Sequence, residues 1–346
     1  MKPEQMAMKT PFRIVAGTFA VLLALGPVAG CTFGGRTSVA GGTAAAVPVA
    51  DKEWHSLAKS GRAAYLRNDF KAALPLFASA ANRSRALDDP NGLAVALLDQ
   101  ARCLEELEIV DALAVRDREA STATPVVRED SFMPERLRLL DELRALRSDD
   151  RLSVKRRAEL DVAVAGLPRE WTELDAIVDR TPPDVLSPAD RARLLFARIE
   201  PLDPDDPAAA CDLLKECPPD DELPPFLRAR RQIMRILYCE VDELETLESV
   251  VAIYREAGRA DGVAFALSSD IYQYIRSPDP VHVGDMLLRG AATCHALGYV
   301  HLAASLLDRA EAVDNPAIRE CTEKLRASLR IPSTHDSADP KGESAP

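Results

Sequence analysis

Aromatic residues make up only 5% of this 346-residue chain, and histidine occurs five times. Lysine and arginine, 43 in all, are outnumbered by 55 aspartates and glutamates. The net charge of −12 has the wrong sign for general binding to phosphate backbones or anionic lipid, which need clustered positive charge. Nucleic acid is therefore not an expected partner. None of the 16 glycines falls in a nucleotide-binding loop, and both the Gly-x-Ser-x-Gly elbow and the zinc-protease His-Glu pair are missing. Strand-like alternation bounded by turns is missing too. The apolar run Ile14 to Leu25 stops after twelve residues, short of the ~20 needed to span a membrane.

What the chain does have is helix. Hydrophobic residues reach 47%, and Ala, Leu and Arg, which favour helix, carry the body. Trp54, Leu57, Ala58, Gly61, Ala64 and Tyr65 recur at three- and four-residue steps, the stripe of an amphipathic helix. After the turn Arg67-Asn68-Asp69, a second stripe runs through Phe70, Ala73, Leu74, Phe77, Ala80 and Ala81. Helices joined by so short a turn lie antiparallel against each other. Further starts are marked where a capping residue precedes proline, at Asp89-Pro90, Ser187-Pro188, Asp206-Pro207 and Asn315-Pro316. With helices of ~11–12 residues, the chain should hold about thirteen to fifteen.

Ahead of this body, Lys2, Lys9 and Arg13 form a positive region, followed by the apolar run and the helix-breaking Gly26-Pro27. That is the order of a secretory signal peptide. Val28-Ala29-Gly30-Cys31 closes it and resembles the lipobox of bacterial lipoproteins, with Val28 where leucine is commoner. The resemblance implies removal of residues 1–30 and lipidation of Cys31, whose acyl chains would hold the protein on a membrane. Thr32 stands where aspartate would signal inner-membrane retention, so the outer membrane, facing the periplasm, is the expected site. The stretch from Thr32 to Ala50, rich in Gly, Ala, Ser and Thr, reads as a flexible tether spanning roughly 24 Å on average.

The spacing of Gly61, Phe70, Ala73, Phe77 and Ala80 resembles that of the small and large positions in a tetratricopeptide repeat. Ala291, Gly298, Val300, Ala303, Leu307 and Ala310 repeat it near the end. Weaker echoes are Ala101, Ile109 and Ala112, and Gly258 before Val263; residues 121–225 carry no clear copy. The fold expected is all-α: antiparallel helix pairs stacked as a tetratricopeptide-like solenoid, irregular in the middle. Its divisions are the leader 1–30, the lipidated cysteine and linker 31–50, amino-terminal helix pairs 51–120, a loop 121–134, a helical-repeat region 135–330 and a disordered tail 331–346. In such repeats the first helix of each pair lines a groove, so the resemblance implies partner-binding roles for His55, Arg62, Tyr65, Asp285 and His295. Tyr65 reads equally as core.

The remaining chemistry is thin, and no catalytic residue, metal ligand or cofactor is expected. Cys294, His295 and His301 cluster around Gly298 but read as helix-surface residues. The acidic runs at Asp203 to Asp206 and Asp220 to Glu222 lack calcium-loop spacing and read as solvated loops. Arg228, Arg231 and Arg235, with Arg230 beside them, read as a solvated strip neutralised by Asp242, Glu243 and Glu245. Six cysteines remain besides Cys31, in no zinc pattern. Cys211 and Cys217, six apart in one helix, would be separated by ~9 Å of rise, too far to bridge; the six read as buried thiols acting as small hydrophobes, with Cys294 and Cys321 the preferred pair if any bridge forms. The function expected is non-catalytic binding of a protein or peptide in the cell envelope, as an assembly or scaffold factor. An enzyme or ligand-binding protein acting on cell-wall material is the alternative.

Overall fold

The computed structural model describes residues 49–122, 132–165, 174–181, 183–202, 207–269 and 279–331. Cys31, the leader, most of the linker and residues 332–346 lie outside them, as do Asp203 to Asp206. Among the described residues the chain is all-helical, with fourteen α-helices and no strand. None is long and apolar enough to cross a membrane.

The chain divides into two compact units. The first comprises α1 (Val49–Leu66), α2 (Phe70–Ala86), the start of α3 (Pro90–Ser121) up to Glu108, α4 (Met133–Arg147), α5 (Val154–Ala165), α6 (Leu174–Arg180), α7 (Pro188–Ile199), α8 (Pro207–Lys215) and α9 (Pro225–Tyr238). The second comprises α3 from Ile109 onward with α10 (Glu243–Glu256), α11 (Ala260–Ser268), α12 (Pro280–Ala296), α13 (Val300–Glu311) and α14 (Pro316–Leu329).

Four of the turns between helices are built alike. Asn68, Asp88, Gly258 and Gly298 have φ of 61°, 52°, 68° and 88°, the left-handed region open to glycine and tolerated by Asn and Asp. The next residue's N–H then reaches back five residues, from Asp69 to Ala64, Asp89 to Ser84, Arg259 to Tyr254 and Tyr299 to Cys294, at 2.9–3.0 Å. Each left-handed residue donates in turn to the carbonyl three residues before it. This pair of bonds satisfies the carbonyls a helix end leaves orphaned. The following helix begins immediately, so α1–α2, α2–α3, α10–α11 and α12–α13 are joined by corners of one design. At the starts, Asp89 accepts from the Gly92 N–H (2.9 Å), Ser187 from Asp190 (3.1 Å) and Asn315 from Ala317 (2.9 Å), each before a proline that carries no N–H of its own.

In the first unit α3 is the central element. Its apolar residues Ala94, Leu97, Leu98, Ala101 and Leu104 share one core with Trp54 and Ala58 of α1, Ala80 and Ala81 of α2, Leu139 and Leu143 of α4, Leu160 and Val164 of α5 and Ile177 of α6. At the α1–α2 seam, Gly61 lies against Phe77: a Cβ there would stand 2.7 Å from the ring. In the second unit, α10 packs on α11, α11 on α12, α12 on α13, and α14 on both α12 and α13. Tyr299 offers no capping oxygen at the start of α13; Asp117 of α3 supplies it, accepting from the Leu302 N–H at 2.8 Å.

Two expectations are corrected. Cys294 is buried and free, and Cys321 is exposed and free; the disulfide joins Cys211 to Cys239, with Cα atoms 5.4 Å apart. Cys211 sits in α8 and Cys239 caps α9, and the packing of these two helices closes a distance that in-helix spacing does not reveal. The arginine strip is likewise no solvated face. Arg230 is 2% exposed and pairs with Glu200, while Arg231 donates to Asp220 at 2.7 Å, so Asp220 is engaged rather than merely solvated.

Candidate functional site

From Ala96 to Leu107, α3 is buried at every described position except Arg102, which is half-buried. A helix covered on all sides has no wet face for its charges, yet this stretch contains Asp99, Arg102, Glu105 and Glu106. The result is a charge network inside the first unit. Asp99 accepts from Arg62 of α1 at 3.0 Å and from Arg102 at 2.9 Å. Glu106, 1% exposed, accepts from the Tyr65 hydroxyl at 3.1 Å. On α7, Ser187 donates to Asp190 at 2.6 Å, and Arg193 pairs with Asp190 one turn on. Arg230 of α9 pairs with Glu200 and stands 4.9 Å from the Phe196 ring centroid. Asp161 of α5 takes Arg180 of α6 at 2.7 Å and Arg147 of α4 at 3.4 Å.

Burial sets the proton affinities. It pushes Glu105 well above the usual carboxylate range against the pull of Arg193, Arg136 and Arg102. Burial also pushes Glu200 up to about 7, opposed by Arg230, and raises Glu159 against Arg156. Asp190 goes the other way: burial alone would raise it, but Arg193, Arg102 and the Ser187 hydroxyl hold it below its ordinary value. Arg136 is brought down to about 10 by burial, with Glu105 resisting. Burial first, and then Glu106 and Glu105, lift the Tyr65 phenol well above its ordinary range.

Residues of α3, α5 and α7, among them Arg102, Glu159, Asp190 and Arg193, line a cavity with room for about one water molecule. That is too small for an organic substrate. Only some of these pairs tie helices together. Arg230 and Glu200 join α9 to the end of α7 and are both buried, and breaking one partner out of such a pair costs about 3–5 kcal/mol. Arg62–Asp99 and Arg180–Asp161 join helices through half-exposed arginines and are worth less.

The residues singled out in the sequence divide between the units. In the first, His55 is exposed and stacks on the adjacent Trp54 ring with centroids 4.1 Å apart. Arg62 and Tyr65 both turn to α3, where Asp99 and Glu106 hold them, and Tyr65 also meets Phe70 edge-on at 5.1 Å. In the second, Asp285 is exposed 3.4 Å from Arg289, which grips Glu248 of α10 through two hydrogen bonds of 2.6 and 3.0 Å. His295 is half-buried in the last turn of α12. Cys31 lies outside the described residues. Among those described, no three His, Cys, Asp or Glu side chains stand together as metal ligands.

Sequence reasoning missed Asp99, Glu105, Glu106, Arg136, Arg193 and Glu200. One signal was there, for Glu105 alone: it falls on the face of α3 that carries Leu98, Ala101 and Leu104, whereas Asp99, Arg102 and Glu106 share the opposite face and read as a wet side. Compared with known proteins, the chain matches no family model, no curated protein and no solved structure.

Proposed function

We propose that this chain is a lipid-anchored, tetratricopeptide-like protein of the bacterial cell envelope, whose helix pairs hold a protein or peptide partner and which catalyses no reaction. The recurring corner carries the reading. Four turns of one design join helices whose seams are made of small residues, and that is how repeat proteins generate extended surfaces. Two observations on the residues behind the resemblance support the reading: Gly61 lies against the Phe77 ring, and Ala291, Ala303, Leu307 and Ala310 are fully buried in the second unit. Recognition then falls to outward helix faces. On α12 the positions Asp285, Leu288, Ala292 and His295 are not fully buried and follow one another at helical spacing.

The compartment has two supports. One is the leader ending at Cys31; the other is the Cys211–Cys239 disulfide, a bond that persists in oxidising compartments and is rare in the cytosol. Acyl chains on Cys31 would keep the helices at the membrane, the outer one facing the periplasm, for assembling or scaffolding a larger envelope structure.

The test is a photo-crosslinking residue placed in living cells at Asp285, at His295 or at His55. A reproducible adduct with an envelope protein from at least one position is expected. Adducts no different from those of a crosslinker at the exposed end of α14 would overturn the assignment of these faces.

A further inference from the structure

We infer that the corner between α1 and α2 docks on an anionic phospholipid surface, so that the tethered body meets the membrane with one fixed side. The inference rests on the lipid anchor proposed for Cys31 and adds a second contact to it. The net charge of −12 is an average over the chain. From Lys59 to Ala72 the sequence carries Lys59, Arg62, Arg67 and Lys71 against Asp69 alone.

The fold leaves this charge on the surface. Arg62 is taken up by Asp99, and Asp69 accepts from the Ala72 N–H as the cap of α2. Lys59, Arg67 and Lys71 are exposed, and among the described residues none of the three has a carboxylate in ion-pair range. In the other tight basic run, Arg230 and Arg231 are spent on Glu200 and Asp220. Between the free cations stands Leu66, 74% exposed, the most exposed large apolar side chain among the described residues. It follows Lys59 by seven residues and the exposed Ala63 by three, which puts all of them on one face of α1. Lys71 opens α2, where side chains lean back towards the helix start and so over the corner. Cations that draw in anionic headgroups, set around a leucine that can enter the acyl boundary, are the means by which a protein surface binds a membrane. The tether permits the contact. Its composition gives an average span of roughly 24 Å, close to the ~27 Å length of α1. The linker can therefore run from the membrane to Val49 while the far end of α1 rests on the same surface.

The experiment places a fluorescent residue at Ala63 of the native protein and adds vesicles whose phospholipids are brominated beside the headgroup, a quencher of short reach. One set of vesicles is phosphatidylcholine alone; the other is phosphatidylcholine and phosphatidylglycerol in equal parts. Quenching is expected on the anionic vesicles and should weaken as salt is raised. In Lys59→Glu/Arg67→Glu/Lys71→Glu the ratio of docked to undocked molecules should fall about a hundredfold, the worth of three cations at such a surface. Leu66→Ser should lower it severalfold. Quenching that is equal on the two vesicle types, absent from both, or unchanged by the charge reversal would overturn the proposal. Should the variants not fold, the two vesicle types and the salt series on the native chain decide alone. The intact mass of the same sample reports acylation of Cys31 separately, so the anchor and the docking face stand or fall independently.

Discussion

Replacing Gly61 by alanine puts two opposed effects in competition at the α1–α2 seam. In the middle of a helix, alanine is favoured over glycine by about 1 kcal/mol, so at an open position Gly61→Ala would stabilise. Here the new Cβ would stand 2.7, 2.9 and 3.0 Å from three carbons of the Phe77 ring. The ring cannot simply retreat: it is 1% exposed and wedged among Ala64, Ala73 and Cys103. Forcing a methyl into such packing costs about 1–3 kcal/mol, so the net change should be a loss of roughly 0–2 kcal/mol. Because the two terms nearly cancel at the low end, a double-mutant cycle decides better than the single variant. Phe77→Leu alone should cost about 1–2 kcal/mol through lost buried area. Combined, the alanine methyl takes up space the ring vacates, and coupling of at least about 1 kcal/mol is expected, within the usual range for contacting residues. Urea unfolding with an unchanged m-value is the assay. Additive changes, with Gly61→Ala stabilising in both backgrounds, would refute the close approach and with it the residue basis of the repeat resemblance.

Glu200 titrates in a testable direction. Its folded pKa of about 7 lies above its ordinary 4.5, so the folded state keeps a proton that the unfolded state has lost. Its contribution to stability is therefore fully present below pH 4.5 and falls away as pH rises to about 7, by roughly 3 kcal/mol. Wild type should lose stability relative to Glu200→Gln across that window in urea titrations, starting from near parity at low pH; a difference independent of pH would contradict it. The Cys211–Cys239 bond closes a separation of 28 residues, for which loop entropy suggests about 3–4 kcal/mol. Reductant should lower the unfolding midpoint of wild type and leave Cys211→Ser/Cys239→Ser unmoved. Asp117→Ala should cost about 1 kcal/mol and speed hydrogen exchange at the Leu302 amide, while Asp117→Asn retains most of the cap; unchanged exchange in both variants would remove Asp117 from this role.

What the sequence makes legible here is local. A capping residue before proline at Ser187 or Asn315, and a glycine in the corner at Gly298, act through bonds spanning a few residues, so their pattern survives in one dimension. Gly61 and Phe77 are readable because a two-helix corner brings positions sixteen apart together in a fixed way. Cys211 and Cys239 meet because α8 folds back on α9, and nothing in their spacing says so. Arg230 misleads for the same reason: beside Arg228 and Arg231 it looks like part of a wet strip, whereas α9 is covered on that side and Glu200 waits thirty residues upstream. The acids of α3 are hidden further still, since their partners come from α1, α4 and α7. Arg62 and Tyr65 show the intermediate case: the residues stand out in the sequence, while the helix they reach for becomes visible only with α3 in place.

The central claim is that the chain works by holding an envelope partner at a membrane. It is tested most directly by chemical crosslinking in intact cells and mass spectrometry, comparing the native protein with Cys31→Ala. The account predicts a reproducible envelope partner whose yield drops severalfold in Cys31→Ala, together with release of the variant from the membrane fraction. A native protein that is itself soluble and carries no acyl group, or that crosslinks to no envelope protein in either form, would contradict it.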